Sequence, residues 1–246
     1  MNQALANKSA HNERFILTKP RTIAIDGSAA SGKSTLGNTL AKRLNYLYLD
    51  TGIMYRSVAW ATLDAKIDVA DEDRVSKLAE TIALNLSPPT IADGRQCTVQ
   101  VNGQDVTWLI RSPEVDANVS KVSAYLRVRQ AMIARQRAIA EQGPVIMVGR
   151  DIGTVVLPEA DLKIFTKASL EVRARRRYQE RLERGEMISY DELLVTMARR
   201  DQQDQERTHS PMIPAPDAVI IDTDGLTIEE VIRKVEGLIS GGCEGG

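Results

Sequence analysis

Gly27, Gly32, Lys33 and Ser34 stand at the spacing G-x-x-x-x-G-K-[ST], the pattern of a loop that wraps phosphate. The chemistry explains the residue types. Glycine and the small neighbours Ser28, Ala29, Ala30 and Ser31 let backbone N–H groups turn inward onto anionic oxygens. A helix starting at the end of the loop aims its positive N-terminal end at the same anion. Lys33 can reach the β- and γ-phosphates, and the Ser34 hydroxyl can join a Mg²⁺ shell, with Thr35 closing the run. A short apolar, β-branched segment precedes the loop and a helical pattern follows it. A chance glycine-serine turn has no such context. The chain is therefore expected to bind a nucleoside triphosphate, with Ser34 available to Mg²⁺. The loop does not say what receives the phosphate.

The arginines address the acceptor. An alcohol acceptor needs a base to take its proton. A nucleoside monophosphate is already largely ionised, because a phosphate monoester has its second pKa at about 6. The difficulty is then charge, and arginines must neutralise two phosphate chains at once. Arg56, Arg129, Arg150, Arg200 and Arg207 sit just past strand ends or on adjacent helices. Arg200, Asp204 and Arg207 fall at i, i+4 and i+7 and share one helix face. A single such arginine is commonly a solvated surface residue. Arg150 departs furthest from that pattern, since it follows an apolar strand inside Gly-Arg-Asp-Ile-Gly. The run Ser169 to Arg184 reads as a mobile lid carrying Arg173, Arg176 and Arg177, with one or two of its arginines on phosphate and the sequence not saying which. The opposing reading is a solvated helix laced by Glu171–Arg175 and Glu180–Arg184 pairs. His209 is expected on the surface, because an ionised acceptor needs no base. Trp60 and Trp108 are expected to serve packing.

These residues need a scaffold to bring them together. A chain of 246 residues with 43% hydrophobic content suits one α/β domain with insertions. A net charge of −1 predicts no nucleic-acid or anionic-membrane partner. Cys97 and Cys243 are too few for a disulfide framework or a zinc site. The polar start and the lack of a long apolar run predict a cytoplasmic protein without membrane contact, and a monomer is expected. Apolar runs at 22–26, 46–49, 145–148, 162–165 and 218–221 predict five strands. The run at 46–49 is expected to be buried. Helical patterns are expected at 34–44, 54–65, 71–84, 112–142 with a break near Ser123, 169–184, 189–206 and 227–239. Ser189 with Glu192, and Thr227 with Glu230, have capping-box spacing. Residues 85–109 read as a small antiparallel insert with an Asn102-Gly103 turn. Strands alternating with helices give a five-stranded parallel sheet, a P-loop NTPase core. The expected layout is a flexible tail at 1–20, a kinase domain at 21–240 with its lid at about 169–188, and a flexible tail at 241–246.

Several of these runs together resemble bacterial cytidylate kinases, members of the nucleoside monophosphate kinase group. The matching residues are Gly27 to Thr35, Asp50-Thr51-Gly52-Ile53-Met54-Tyr55-Arg56, Arg127-Val128-Arg129, and Gly149 to Val156. Arg200-Asp201, Asp204, Arg207, Pro211 and Pro214-Ala215 continue the match. The resemblance covers about Arg21 to Ser240. It implies transfer of the γ-phosphoryl group of ATP to CMP or dCMP. By that likeness Arg56, Arg150 and Arg207 hold the acceptor phosphate. Asp50, Thr51, Arg200 and Asp204 lie around the pentose, and Ser120, Arg129 and Asp151 read the base. Lys33, Arg150 and Arg207 are the residues that act on the transferring group. The insert belongs to the monophosphate-binding region. Relatives often carry an acid before Gly149, where this chain has Val148. The resemblance then leaves Ser34 and bound phosphate to hold the metal. The alternative is an ATP-dependent P-loop switch or binding module without kinase activity. A second enzymatic rival, a shikimate-kinase-like alcohol kinase, is disfavoured by the arginine density.

Overall fold

The computed structural model describes residues 19–240. The expected tails fall outside the described residues, except for Lys19 and Pro20. In chain order the strands and helices are β1 (Thr22–Gly27), α1 (Lys33–Leu44), β2 (Leu47–Asp50), α2 (Thr51–Asp64), α3 (Glu72–Thr81), β3 (Leu84–Ser87), β4 (Thr98–Val101) and β5 (Gln104–Asp105). They continue with α4 (Pro113–Val122), α5 (Leu126–Ala140), β6 (Val145–Gly149), β7 (Leu162–Lys167), α6 (Leu170–Glu183), α7 (Tyr190–Gln205), β8 (Val219–Asp222) and α8 (Ile228–Ile239).

Side-chain alternation explains the layering. A strand sends successive residues to opposite faces. Ile23 and Ile25 of β1, with Ile146 and Val148 of β6, pack on Leu36 and Leu40 of α1 and Val231 and Val235 of α8. Ala24, Val145 and Met147 point the other way, toward Met54 and Val58 of α2 and Val128 and Met132 of α5. Both faces are thus covered, as a parallel sheet requires. The five strands run in the order β2-β6-β1-β7-β8, and every pairing is parallel. Each fully buried Leu or Ile in these layers contributes about 1.5–3 kcal/mol. The order places β1 in the middle, so the loop after it opens at the centre of the sheet's carboxyl edge.

Several expectations need correction. The run at 46–49 forms an edge strand, with Leu47 43% exposed, because β2 pairs with β6 on one side only. The helix expected from Met54 begins at Thr51, because the Asp50 carboxylate caps it by accepting from the Gly52 N–H at 3.0 Å. The helix expected to reach Leu84 stops at Thr81, and Leu84 instead pairs with Val101 in an antiparallel sheet. Ser189 accepts from the Glu192 N–H, but the reciprocal half of that capping box is not made, whereas Thr227 and Glu230 make both halves.

The second sheet has the order β3-β4-β5. Asn102 and Gly103 turn β4 into β5 with φ of 51° and 85°, the left-handed pair that such a turn requires. Val99, Val101, Val106 and Ile110 of this region pack on Ile53 and Ala61 of α2. The Arg95 side chain, 4% exposed, bridges Asp93 at 2.7 Å and Asp105 at 2.6 Å. Trp108 is not a packing residue here: it is 44% exposed, and its indole N–H donates to Asp93. Among the described residues no helix is long and apolar enough to cross a membrane.

Candidate active site

The turn from β1 into α1 has backbone values that few side chains tolerate. Gly27, Ala30 and Gly32 have φ of 148°, 59° and 88°. A Cβ at Gly27 would strike the Thr166 carbonyl and hydroxyl on β7. That close approach lets Ser31 Oγ and Thr166 Oγ1 share a 2.7 Å hydrogen bond. Gly32 starts α1 with no side chain satisfying the first-turn amides, which leaves them for an anion. Lys33 is 6% exposed and its Nζ donates to the Ser28 carbonyl at 2.8 Å. Burial, then the Arg150 guanidinium, push its pKa well below the usual lysine value. Ser34 Oγ donates to Asp50 Oδ2 at 2.9 Å.

Asp26, at the end of β1, ties this loop to the segment after β6. Its two oxygens accept from the Ile152 and Gly153 N–H groups at 2.8 Å each. Burial raises its pKa from 3.8 to about 6, against the pull of those two amides. Between these values the native chain holds a proton that the unfolded chain has released. The Asp26 contribution to stability is therefore full below pH about 4 and is lost as pH rises through about 6. Chemical denaturation across pH 4–7 checks this: Asp26→Asn is expected to flatten that fall.

The residues expected on the acceptor side converge from five separate segments. Arg150, after β6, donates from Nε to Asp204 Oδ2 at 3.0 Å. Arg207 donates to the same carboxylate and to Ser123 Oγ, the latter at 3.0 Å. Arg207 lies two residues beyond α7 and not on its face, yet it still reaches Asp204. Arg56 of α2 pairs with Asp116 and donates to the Ile110 carbonyl at 3.0 Å. Arg200 is half-buried; burial and then the Arg150 and Arg56 charges lower its pKa to about 10. Arg129, 2% exposed, pairs with Asp151, donates to the Ser123 carbonyl at 3.0 Å and lies 5.3 Å over the Tyr55 ring. Thr51 donates to the Val148 carbonyl at 3.0 Å, which straps β2 to β6. Ser120 of α4 is half-buried, and its carbonyl accepts from Ser123 Oγ at 3.1 Å. It lines an outward cleft with Lys121, Arg207 and the exposed His209.

The arginine-rich helix α6 packs with α7 over the phosphate loop, where Ala174, Leu193 and Met197 meet Ala29 and Ala30. Arg173 donates to the Ala29 carbonyl at 3.3 Å and pairs with Asp201 at 2.6 Å. Arg176 donates to the Thr223 carbonyl at 2.8 Å, beside a cavity of about 200 Å³ that Ser31, Gly32, Thr35 and Leu226 also line. Arg177 pairs with Glu180 at 3.0 Å and lies 3.7 Å from Asp116. The Glu180–Arg184 pair forms, as its spacing allows.

Two residues, Asp116 and Ser123, escaped the sequence reading. Asp116 collects Arg56 and Arg181, the latter at 3.0 Å. It sits in the first turn of α4, where an acid also suits the positive end of the helix. Arg181 reaches it from one turn beyond the expected lid arginines. Ser123 serves both Arg129 and Arg207, and the only visible signal was the helix break beside it.

A glycine-rich loop after the central strand of a five-stranded parallel sheet, with a lysine and serine opening the next helix, defines a P-loop kinase. The comparisons narrow the class. A family model described as "Cytidylate kinase" matches residues 23–240. A cytidylate kinase of Herpetosiphon aurantiacus is 50% identical over 225 residues, 92% of this chain and 96% of that one. One of Chloroflexus aggregans is 50% identical over 216 residues, 88% and 92% of the two chains. One of Bacillus thuringiensis is 44% identical over 225 residues, 92% and 98%. The chain belongs to the cytidylate kinase family.

Proposed function

We propose that the chain transfers the γ-phosphoryl group of ATP to CMP or dCMP, giving ADP and CDP or dCDP, within the cytoplasmic nucleotide pool. Membership of the family supports the reaction. The observation that carries the assignment of residues is the charge imbalance at the sheet's carboxyl edge. Arg150 and Arg200 act on Lys33, Arg56 acts on Arg200, and Arg207 shares Asp204 with Arg150, with Asp116 and Asp204 as the arginines' main counter-charges. Arg150 and Arg56 each depress the pKa of Arg200, and Arg150 that of Lys33. Two phosphate chains relieve that repulsion.

Each part then has a role. The amides of 27–35 and Lys33 hold the triphosphate. Arg56, Arg150 and Arg207 exchange their carboxylate partners for the acceptor phosphate, and Arg150 spans the two phosphate groups. Asp50, Thr51, Arg200 and Asp204 border the pentose. The cavity beside Arg176 and Thr223 suits the donor base. The α6–α7 unit closes and excludes water, which would otherwise take the phosphoryl group. Oxygen donors at Ser34 and Asp50, 2.9 Å apart, suit Mg²⁺. That ion supplies neutralisation of the β- and γ-phosphate oxygens when it arrives with ATP.

Asp151, Arg129 and Ser120 are the proposed base readers. Cytosine presents an N4 amino donor and N3 and O2 acceptors. Asp151 accepts from N4, and Arg129 and Ser120 donate to the acceptors. Uracil turns its O4 toward the carboxylate, two acceptors face to face, at a cost of about 1–3 kcal/mol, roughly ten- to a hundredfold. Asp151→Asn is therefore expected to reduce the CMP-over-UMP ratio of kcat/KM by about tenfold. An unchanged ratio removes Asp151 as the reader.

Chromatographic separation of CDP from CMP after incubation with ATP tests the whole proposal. A nucleotide-binding switch gives slow ATP hydrolysis and no CDP. Preference for UMP or AMP overturns the acceptor assignment.

A further inference from the structure

Three helices distant in sequence meet at one carboxylate. Asp116 stands in the first turn of α4, half-buried, and its two oxygens face different elements. Oδ1 accepts from Arg56 of α2. Oδ2 accepts from Arg181 of α6 at 3.0 Å and lies 3.7 Å from Arg177, one turn earlier on the same helix. Among the described residues, the contacts on Oδ2 are the only hydrogen bonds and ion pairs that join α6 to α2 or α4. The other arginines of α6 hold elsewhere. Arg173 pairs with Asp201 of α7 and Arg176 donates to the Thr223 carbonyl. One carboxylate therefore serves three guanidiniums. Burial works against its charge, yet Arg56, then Arg177 and Arg200, hold its pKa below the usual aspartate value. Its side chain is 16% exposed, so these pairs are screened less than pairs on the open surface.

We propose that Asp116 is a positioning residue that couples the acceptor site to the lid. The inference rests on the reading of Arg56 as a ligand of the acceptor phosphate and of α6 as a lid. A phosphate dianion outcompetes a shared carboxylate for Arg56, because it brings more charge and more acceptor oxygens. Oδ1 then loses its partner. Arg177 stands close enough to pair but too far for a hydrogen bond, and it is the nearest cation able to move onto the freed carboxylate. The charge of Asp116 is thereby turned wholly to α6, and the lid is held against α4. Acceptor binding in this way favours the closed lid. By reciprocity, a lid closed over ATP favours the acceptor by the same factor. The coupling needs no contact between Asp116 and either nucleotide. It also holds the lid most firmly when both phosphate chains are present, the moment at which water must be kept out.

Calorimetric titration of the full chain with CMP, with and without a non-hydrolysable ATP analogue and Mg²⁺, reads the coupling. The wild-type chain is expected to bind CMP about tenfold more tightly with the analogue present. Asp116→Asn keeps the shape of the side chain and removes its charge. It is expected to bring that ratio to within about twofold of one, with the melting temperature and the affinity for the analogue alone at the wild-type level. Arg181→Gln, which leaves the pairing of Arg56 with Asp116 intact, is expected to reduce the ratio in the same direction. A wild-type ratio in either variant overturns the inference. So does a ratio near one in the wild-type chain. A loss of CMP affinity in Asp116→Asn that is equal with and without the analogue also overturns it, and leaves Asp116 as a support for Arg56 alone. Failure of the wild-type chain to bind CMP under either condition ends the acceptor reading itself, a separate outcome.

Discussion

Arg150→Ala is expected to lower kcat with CMP by about a thousandfold, some 4 kcal/mol of lost transition-state stabilisation. The residue follows β6 at the sheet's carboxyl edge, and its charge acts on both Lys33 and Arg200. In the proposed reaction it lies between the donor and acceptor phosphates, where charge shifts during transfer. The fold should survive the change. Asp204, which loses the 3.0 Å bond from Arg150, still has Arg207. The pattern matters as much as the size. A loss carried by kcat, with the CMP dissociation constant changed little, marks an interaction made in the transition state. Steady-state rates with ATP and CMP, and a melting temperature near wild type, give the comparison. Turnover near that of the wild type ends the catalytic role of Arg150.

Lys33→Ala is expected to lower kcat/KM for ATP by about a hundred- to a thousandfold. Burial and the Arg150 charge already strain the protonated form of Lys33 in the free chain. The bound triphosphate reverses that strain, so the ammonium is worth more with ligand than without. Lys33→Arg should not rescue the loss. A planar five-donor fork cannot replace a compact point charge whose Nζ sits 2.8 Å from the Ser28 carbonyl. Calorimetric titration with ATP, alongside the rates, separates ground-state binding from turnover. Retained affinity together with retained rate for Lys33→Ala refutes the assignment.

The donor half was legible because its geometry is local. Gly27, Gly32, Lys33 and Ser34 act within one turn of chain, and the glycines report backbone angles that other residues avoid. The alternation in β1 and β6 was equally readable, since it states which face each residue takes. Which neighbour waits on that face is not a local property. Nothing near 46–49 says that β2 lies at an edge, because that follows from the order of the whole sheet. Arg207 meets Ser123 across 84 positions, and Arg181 meets Asp116 across 65. Such pairs follow from how α4, α6 and α7 dock, and docking depends on the summed shape of three helices. The motif around Asp151 was visible, but its closure against Arg129 needed the fold. Trp108 was misread for the same reason: an indole that donates to Asp93 and lies against Arg111 cannot be told from a core residue by type.

The contact between Gly37 and Val148 restricts the routes by which this sequence can change. A methyl group added at position 37 meets Val148 at 2.6 Å, Tyr48 at 3.1 Å and Ile146 at 3.5 Å. The first is an overlap that a packed core cannot absorb without moving β6 or α1. Position 37 is thus locked while valine occupies 148, and it opens only after 148 becomes smaller. The two sites are epistatic, and the order of substitution matters: trimming 148 first leaves a small void, whereas filling 37 first drives helix and strand apart. Drift at the mouth of the phosphate loop is consequently paired and directional, although neither residue is proposed to touch a nucleotide.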